Sequence, residues 1–183
     1  MIRIFHSRKN LRFQNLAQVY EQSLAMAGRT NYGSYSKYRQ LMEAEQDFYQ
    51  FVNDFLREPD SFIAVWEVQD DYTSALRIQE YKDGFLLTGL ETASVYRGKG
   101  YASALVAETL AYLSASKTNK IYSHIRNDNA ASIKLHLKMG FVKISDSAVY
   151  LDGSADHHSG TYLKQLCKMV VSIETTIFCI LII

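Results

Sequence analysis

The chain has 183 residues, of which 48% are apolar, and its 20 basic and 19 acidic side chains leave a formal charge of +1. That length suits one ordinary domain with a buried core, and the near-neutral charge gives no indication of a nucleic-acid partner. The two cysteines, Cys167 and Cys179, are too few for a disulfide framework and favour a reducing compartment. Charges interrupt the first ten residues, so we read no export signal there and expect a cytoplasmic protein.

Helical spacing dominates the first third of the chain. After a short predicted strand over 2–6, apolar side chains recur at helical spacing over 11–28 and again over 38–58. The second pattern stops before Pro59, where a helix is expected to end. These patterns predict one strand followed by two helices.

Strand patterns dominate the rest of the chain. Segments 61–69, 73–84 and 84–94 alternate or run apolar between turn residues, which is typical of an antiparallel meander. The later elements are a helix within 96–116, a strand over 120–126, a short helix over 129–140 and two strands within 141–151 and 160–173. We predict an α/β (α+β) fold with a mixed sheet, formed by a single domain over residues 1–168.

An apolar tail follows over residues 169–183. Its uninterrupted part, from Thr175 to Ile183, is much shorter than the roughly 20 residues of a membrane-spanning helix, so we expect no membrane segment. The tail fits either a final strand or an extension outside the fold.

Two glycines and an alanine alternate just before the helix within 96–116, at Gly98, Gly100 and Ala102. A bare loop that leads into a helix presents unpaired N–H groups and the positive end of the helix dipole, which together favour anion binding. The alternative is a glycine-rich turn that only caps the helix. The spacing matches neither G-x-x-x-x-G-K-[ST] nor G-x-G-x-x-G, so the two commonest nucleotide-binding loops are not indicated.

A second motif, "NDNAASIKLHLKMGF" over residues 127–141, follows the loop at a suitable distance. Together with "RGKGYA" it resembles the GNAT acyltransferase superfamily, whose motifs read [R/Q]-x-x-G-x-[G/A] and N-x-x-[A/S]-x-x-[L/F]-Y-x-x-x-G-F. The resemblance covers roughly residues 60–165. It implies a mainly antiparallel sheet with helices on both faces and a splayed pair of parallel strands that binds acetyl-coenzyme A as a cosubstrate.

The resemblance also implies which residues bind the cofactor. The loop would hold the pyrophosphate, the strand before it would pair with the pantetheine arm, and the short helix would face the sulfur. The residues concerned are Leu90, Glu91, Thr92, Arg97, Gly98, Lys99, Gly100, Tyr101, Ala102, Ser103, Asn129 and Ser132. For Asn129 a helix cap is an equally open interpretation, and it is compatible with cofactor binding.

Three side chains are catalytic candidates on the same resemblance. Glu91 and His124 are alternative general bases, while an exposed strand carboxylate and a core histidine are the corresponding structural interpretations. His136 replaces the tyrosine that protonates the departing thiolate in the family; it could serve as the acid or be a residue of the helix surface. Tyr101 and Tyr122 are further candidate donors. The triplet at 156–158 is interpreted as a solvated loop, so we expect no metal.

The sequence therefore predicts an N-acyltransferase that moves an acetyl group to a primary amine by direct attack in a ternary complex. The rival hypothesis is a non-catalytic acyl-coenzyme A binding or sensing module, which the missing tyrosine favours. A nucleotide-binding protein is a weaker third hypothesis, because no magnesium-binding motif accompanies the loop.

We expect a small-molecule or peptide amine as acceptor, no nucleic acid and no membrane, and a homodimer is left open. Tyr32, Tyr35 and Tyr38 would line the acceptor entrance or simply pack under a loop.

Overall fold

A strand, three helices and then a run of strands open the chain in the computed structural model, which describes residues 1–116 and 118–166. The strands are β1 (Ile2–Phe5), β2 (Phe62–Val68), β3 (Asp71–Tyr81), β4 (Gly84–Thr92), β5 (Lys120–Arg126), β6 (Val142–Ser145), β7 (Ala148–Val149), β8 (Ala155–Asp156) and β9 (Ser159–Gln165). The helices are α1 (Phe13–Val19), α2 (Glu21–Asn31), α3 (Lys37–Phe55), α4 (Tyr101–Leu113) and α5 (Ala130–Lys138). Both cysteines and the tail 169–183 lie outside the described residues.

Seven of the described strands form one sheet in the order β1-β2-β3-β4-β5-β9-β6, and β7 pairs with β8. The pairings β1–β2, β2–β3, β5–β9 and β6–β9 are antiparallel, whereas β4 and β5 are parallel. The predicted mixed, mainly antiparallel α/β fold is confirmed. Registered pairs between β4 and β5 run only from Phe85 with Ile121 to Leu87 with Ser123, although β4 continues to Thr92.

The chain divides into two compact units, the first formed by Met1–Gln79 with Gly89–Leu105 and the second by Glu80–Thr88 with the described residues from Val106 to Leu166. Strands β3 and β4 and helix α4 contribute to both. The prediction of a single domain over 1–168 stays a prediction.

The first unit has an aromatic-rich core between its helices and its strands. Its buried members include Leu16, Val19, Tyr20, Phe48, Val52, Phe55, Ile63 and Val65. Helix α3 begins where the Ser36 hydroxyl accepts the Arg39 N–H, and apolar residues at helical spacing bury one face of it.

The single helix expected over 11–28 is two helices that meet at Tyr20. The phenol of Tyr20 is buried and donates to the carbonyl of Gly89 at 2.5 Å. Tyr20 leaves the helical conformation, with φ −93° and ψ 10°, and apolar periodicity alone could not indicate this break.

The second unit has its own smaller core. Tyr81, Leu86 and Tyr122 form a buried cluster with Leu163 packed against it. Within residues 1–116 and 118–166, no helix is both long enough and apolar enough to cross a membrane.

Candidate active site

The loop between β4 and α4 has the backbone conformation that its glycines predict. After a 3₁₀ turn over Ser94–Tyr96, Gly98 and Gly100 adopt φ values of 75° and 84°, in the left-handed region that glycine tolerates. The Gly100 carbonyl accepts the N–H of Ala104 at 3.0 Å, so α4 starts here. The N–H groups of its first residues, Tyr101 to Ser103, therefore have no partner within the helix.

The space beside this loop is open. A Cβ built on Gly98 or on Gly100 meets no atom within 4 Å, so no packed side chain prevents an anion from approaching the backbone. Arg97 and Lys99 are both exposed here. The Nε of Arg97 donates to the Thr92 carbonyl at 3.1 Å, which ties one of these cations to the end of β4. Exposed cations, free N–H groups and a helix N-terminus fit a phosphate group.

Gly89, just before the candidate base on β4, has a φ of 57°, in the left-handed region that is typical of a bulge residue within a strand. A Cβ there would lie 2.5 Å from Nη2 of Arg77, so a larger residue would have to displace that guanidinium. An isolated glycine within a strand pattern indicates a bulge or a close approach of another group to the backbone. Gly89 carries this signal, but it was not predicted from the sequence as a residue that shapes the site.

Glu91 lies just after Gly89 on β4 and is half-buried. Its Oε1 accepts a hydrogen bond from the Ser23 hydroxyl at 2.5 Å, and its carbonyl accepts one from Ser74 at 2.6 Å. Burial raises the pKa of the Glu91 carboxyl, while the Ser23 bond and the charges of Arg77 and Arg97 act in the opposite direction. A carboxylate with a raised pKa and one hydroxyl donor is suited to accept a proton near neutral pH.

Hydrogen bonds to β3 hold the end of β4 that carries Glu91. Leu90 is partly buried, and the Thr92 hydroxyl lies 3.0 Å from that of Ser74. The N–H of Ala93 donates to the Thr73 carbonyl at 3.0 Å, so the end of β4 is held against β3. Glu91, its strand neighbours and the loop residues Arg97 to Ser103 all belong to the first unit.

His124 lies on β5 in the second unit, between two tyrosine rings. The centroids of Tyr81 and Tyr150 are 5.3 and 5.5 Å from the imidazole, and both rings meet it edge-on. Both ring nitrogens are buried and have no hydrogen-bond partner among the described residues. The pKa of His124 is lowered, mainly by burial and further by the charge of Lys82, so the neutral form is favoured.

His136 lies in the interior of the second unit, not on the surface of α5, with 1% of its area exposed. Its Nδ1 lies 2.8 Å from the Ser132 carbonyl and must donate to it, which leaves Nε2 to accept from the Ser123 hydroxyl at 3.1 Å. Burial lowers the pKa of the imidazole, and the Ser132 carbonyl raises it by a smaller amount. The Phe141 ring packs edge-on at 4.9 Å.

Asn129 caps the N-terminus of α5, as one of the two interpretations of this residue predicts. Its side chain accepts the N–H of Ser132 at 3.1 Å, and the hydroxyl of Ser132 lies 3.3 Å from Nδ1 of His136. The second unit thus brings Asn129, Ser132 and His136 together. Their roles toward a cofactor stay predictions.

The tyrosines of the predicted acceptor entrance are on the surface. Tyr32 and Tyr35 stack with centroids 6.1 Å apart, and the Tyr32 hydroxyl donates to Asp47 at 2.6 Å. Tyr38 is 76% exposed. Tyr35 also lies under the guanidinium of Arg39, at 4.1 Å. Two of the three rings therefore have structural partners of their own.

The sequence interpretation also missed Ser23 and Arg77. Ser23 looked like any polar residue of an amphipathic helix, and Arg77 like any charge on an alternating strand. The Ser23 contact joins segments 68 residues apart, and the Arg77 contact depends on how β3 pairs with β4, so no pattern within one segment could have indicated either.

Comparison with known proteins places this geometry in a family. The sequence model of the acetyltransferase (GNAT) family matches residues 27–141, which is more than half of the chain. The chain therefore belongs to the acetyltransferase (GNAT) family. A comparison with curated proteins finds no match.

Many solved structures share the fold. PaiA N-acetyltransferase from Thermoplasma acidophilum, solved with coenzyme A, matches with a TM-score of 0.63 at 12% identity, over 90% of this chain and 99% of that one. A ribosomal-protein-alanine N-acetyltransferase from Brucella melitensis matches with 0.63 at 20% identity, over 90% and 99%. An aminoglycoside 6'-acetyltransferase type Ii matches with 0.59 at 15% identity, over 90% and 96%. At these identities the likeness establishes the fold alone.

Proposed function

We propose that this protein transfers an acetyl group from acetyl-coenzyme A to a primary amine of a small-molecule or peptide acceptor, by direct attack in a ternary complex. Family membership supports the reaction class. The observation that carries the proposal is the open glycine loop at the start of α4, which lies in the same unit as a half-buried carboxylate. The solved relatives name acceptors as different as an aminoglycoside and a ribosomal protein, so the likeness selects no acceptor.

The chain's own residues would hold the cofactor as follows. The N–H groups of Tyr101, Ala102 and Ser103 would donate to phosphate oxygens, while Arg97 and Lys99 supply positive charge. The backbone from Leu90 to Thr92 would bind the extended arm in the manner of an added strand. When bound, acetyl-coenzyme A supplies an acyl group activated as a thioester.

Glu91 would act as the general base. It would take the proton of the acceptor ammonium, directly or through water, and Ser23 would hold the carboxylate in one orientation. Burial brings its pKa closer to neutral pH, which makes the carboxylate a stronger base. His124 is the weaker candidate because both of its nitrogens are buried, so an amine could reach neither without a local movement.

A second candidate function is a non-catalytic module that binds acyl-coenzyme A. The specific observation in its favour is His136, which stands where the family has its acidic tyrosine but is buried, fully hydrogen-bonded and biased toward the neutral form. In the enzyme hypothesis, the thiolate proton would then come from water, Tyr101 or Tyr122. Of these two phenols, Tyr122 already donates to Asp83 at 2.7 Å, and its pKa is raised to about 12 by burial and by that bond.

The two functions separate in one pair of measurements. Thermal shift with acetyl-coenzyme A, coenzyme A and ATP tests binding, and release of free thiol across an amine panel tests transfer. The enzyme hypothesis predicts stabilisation by both coenzyme A species but not by ATP, together with amine-dependent thiol release. Stabilisation without thiol release would favour the binding module.

A further inference from the structure

Arg77 occupies an unusual position on β3, within the first unit. Its guanidinium lies against Gly89, where a Cβ would come within 2.5 Å of Nη2. The guanidinium carbon is 4.7 Å from the centroid of Phe51 and 5.8 Å from that of Tyr20. Two aromatic rings and a bare stretch of backbone thus hold this cation in place.

The charge of Arg77 has no anionic partner in the part of the chain that the structure describes. No carboxylate of residues 1–116 or 118–166 lies within 4 Å of it, and its Nε is buried without a hydrogen-bond acceptor. In the same unit, Arg3 and Arg12 share the buried carboxylate of Glu67. Arg8 resembles Arg77, because it covers the rings of Phe13 and Tyr49 and its Nη1 is buried without a partner among the described residues. The two terminal nitrogens of Arg77 are not among the buried unpaired atoms and have no acceptor within the described residues, so they are available to a partner from outside.

Arg77 faces the same region as the candidate base. Gly89, the residue that Arg77 covers, is two residues from Glu91 on β4. The two side chains are near enough for the charge of Arg77 to act on the carboxyl of Glu91. Helix α2 contributes Ser23, which donates to Glu91, and α3 contributes Phe51, which lies under the guanidinium of Arg77 and is 42% exposed. A cation, a base and an accessible apolar ring are therefore neighbours.

Resting on the proposed function, we propose that Arg77 binds an oxyanion of the acceptor, a carboxylate or a phosphate close to the amine, while Glu91 receives the proton of that amine. The terminal nitrogens of the guanidinium would form a forked pair of hydrogen bonds with two oxygens of the anion. Phe51 would cover the carbon atoms between the two charged ends. The acceptor class is then an amine with an adjacent anionic group, such as an α-amino acid or an aminoalkyl phosphate.

The test uses two matched pairs of amines, L-phenylalanine with phenethylamine and phosphoethanolamine with ethanolamine. Binding to the coenzyme A complex is measured by calorimetry, and transfer is measured with acetyl-coenzyme A. We expect the wild type to prefer the anionic member of at least one pair by roughly 10-fold to 100-fold, the range for a hydrogen-bonded charge pair. The pair that shows the preference distinguishes carboxylate from phosphate.

The variants are Arg77→Met, Arg77→Lys and, as a control, Arg39→Met. Arg39 also covers an aromatic ring but has its own ion pair with Glu43. Arg77→Met should abolish the preference for the anionic member of the pair, Arg77→Lys should restore part of it, and Arg39→Met should retain it fully. A wild type that binds both members of each pair equally, or an Arg77→Met variant that weakens both members equally, would overturn the inference. Preferential binding without transfer would leave Arg77 in this role and refute the proposed function instead.

Discussion

Replacing Gly100 by alanine tests whether the loop before α4 binds through its backbone. Gly100 has a φ of 84°, and an added Cβ meets no atom within 4 Å, so alanine causes no clash in the free protein. The cost is conformational, because the left-handed region costs an ordinary residue about 1–2 kcal/mol. If the loop relaxes to escape this strain, ligand binding must restore the strained conformation.

A second glycine provides the matched control. Gly153 has a φ of 83° and equally open space around its Cβ position, but it lies in the turn between β7 and β8. Strain that a variant keeps in the free protein lowers the free energy of unfolding, and the full cost would lower the melting temperature by roughly 2–8 °C for a chain of this size. Strain that the loop of Gly100→Ala escapes must be restored on binding, so only this variant should bind coenzyme A more weakly, by up to about 5-fold to 30-fold for 1–2 kcal/mol.

Calorimetric titration with coenzyme A, at one fixed salt concentration, is the appropriate assay. Lys99→Ala completes the set, since the loss of one exposed charge should weaken binding less than Gly100→Ala does, and by an amount that shrinks in high salt. Equal affinity of the wild type and Gly100→Ala, with both variants folded, would refute the assignment of the loop as the phosphate site.

Three further predictions concern the titrating groups. Glu91→Gln should lower turnover by about two to four powers of ten and leave coenzyme A affinity nearly unchanged, whereas a collapse in His124→Ala instead would transfer the role of base to β5. Ser23→Ala removes a donor that lowers the pKa of Glu91, so the acidic limb of the rate profile should move to higher pH; an unmoved limb would contradict the assignment. The pKa of His136 is lowered in the folded state, so the free energy of unfolding should fall as pH drops below about 6.5, by at most roughly 1.4 kcal/mol per unit. Denaturant titrations at several pH values should give a shallower decline for His136→Gln, and an unchanged slope would count against a buried neutral imidazole.

Local patterns predicted the elements well, because each element here follows its own periodicity. Helix α3 buries one face at helical spacing, β2 and β3 contain short runs buried at consecutive residues, and the loop at Gly98 and Gly100 depends on backbone conformation. Such features are encoded within a few residues, so the sequence alone revealed them.

The side chains around Glu91 could not be predicted in the same way. The carboxylate of Glu91 accepts a hydrogen bond from Ser23, which is 68 residues earlier in the chain, and the guanidinium of Arg77 lies against Gly89 on the neighbouring strand. The burial of His136 was missed because the short helix α5 presents leucine on both sides of it, and helical periodicity over nine residues does not settle which side faces inward. These contacts arise from packing between distant segments.

The most direct test of the proposed reaction measures free thiol and acetylated amine together. Wild-type protein and Glu91→Gln are incubated with acetyl-coenzyme A and the four amines named above, with the addition of a peptide bearing a free N-terminus. Thiol is followed by absorbance and the acetylated product by mass spectrometry. Direct transfer predicts equal amounts of thiol and N-acetylated product with at least one acceptor in the wild type, and a strong loss of both in Glu91→Gln. Tight binding of coenzyme A, with thiol release no faster than in buffer for every acceptor, would contradict it.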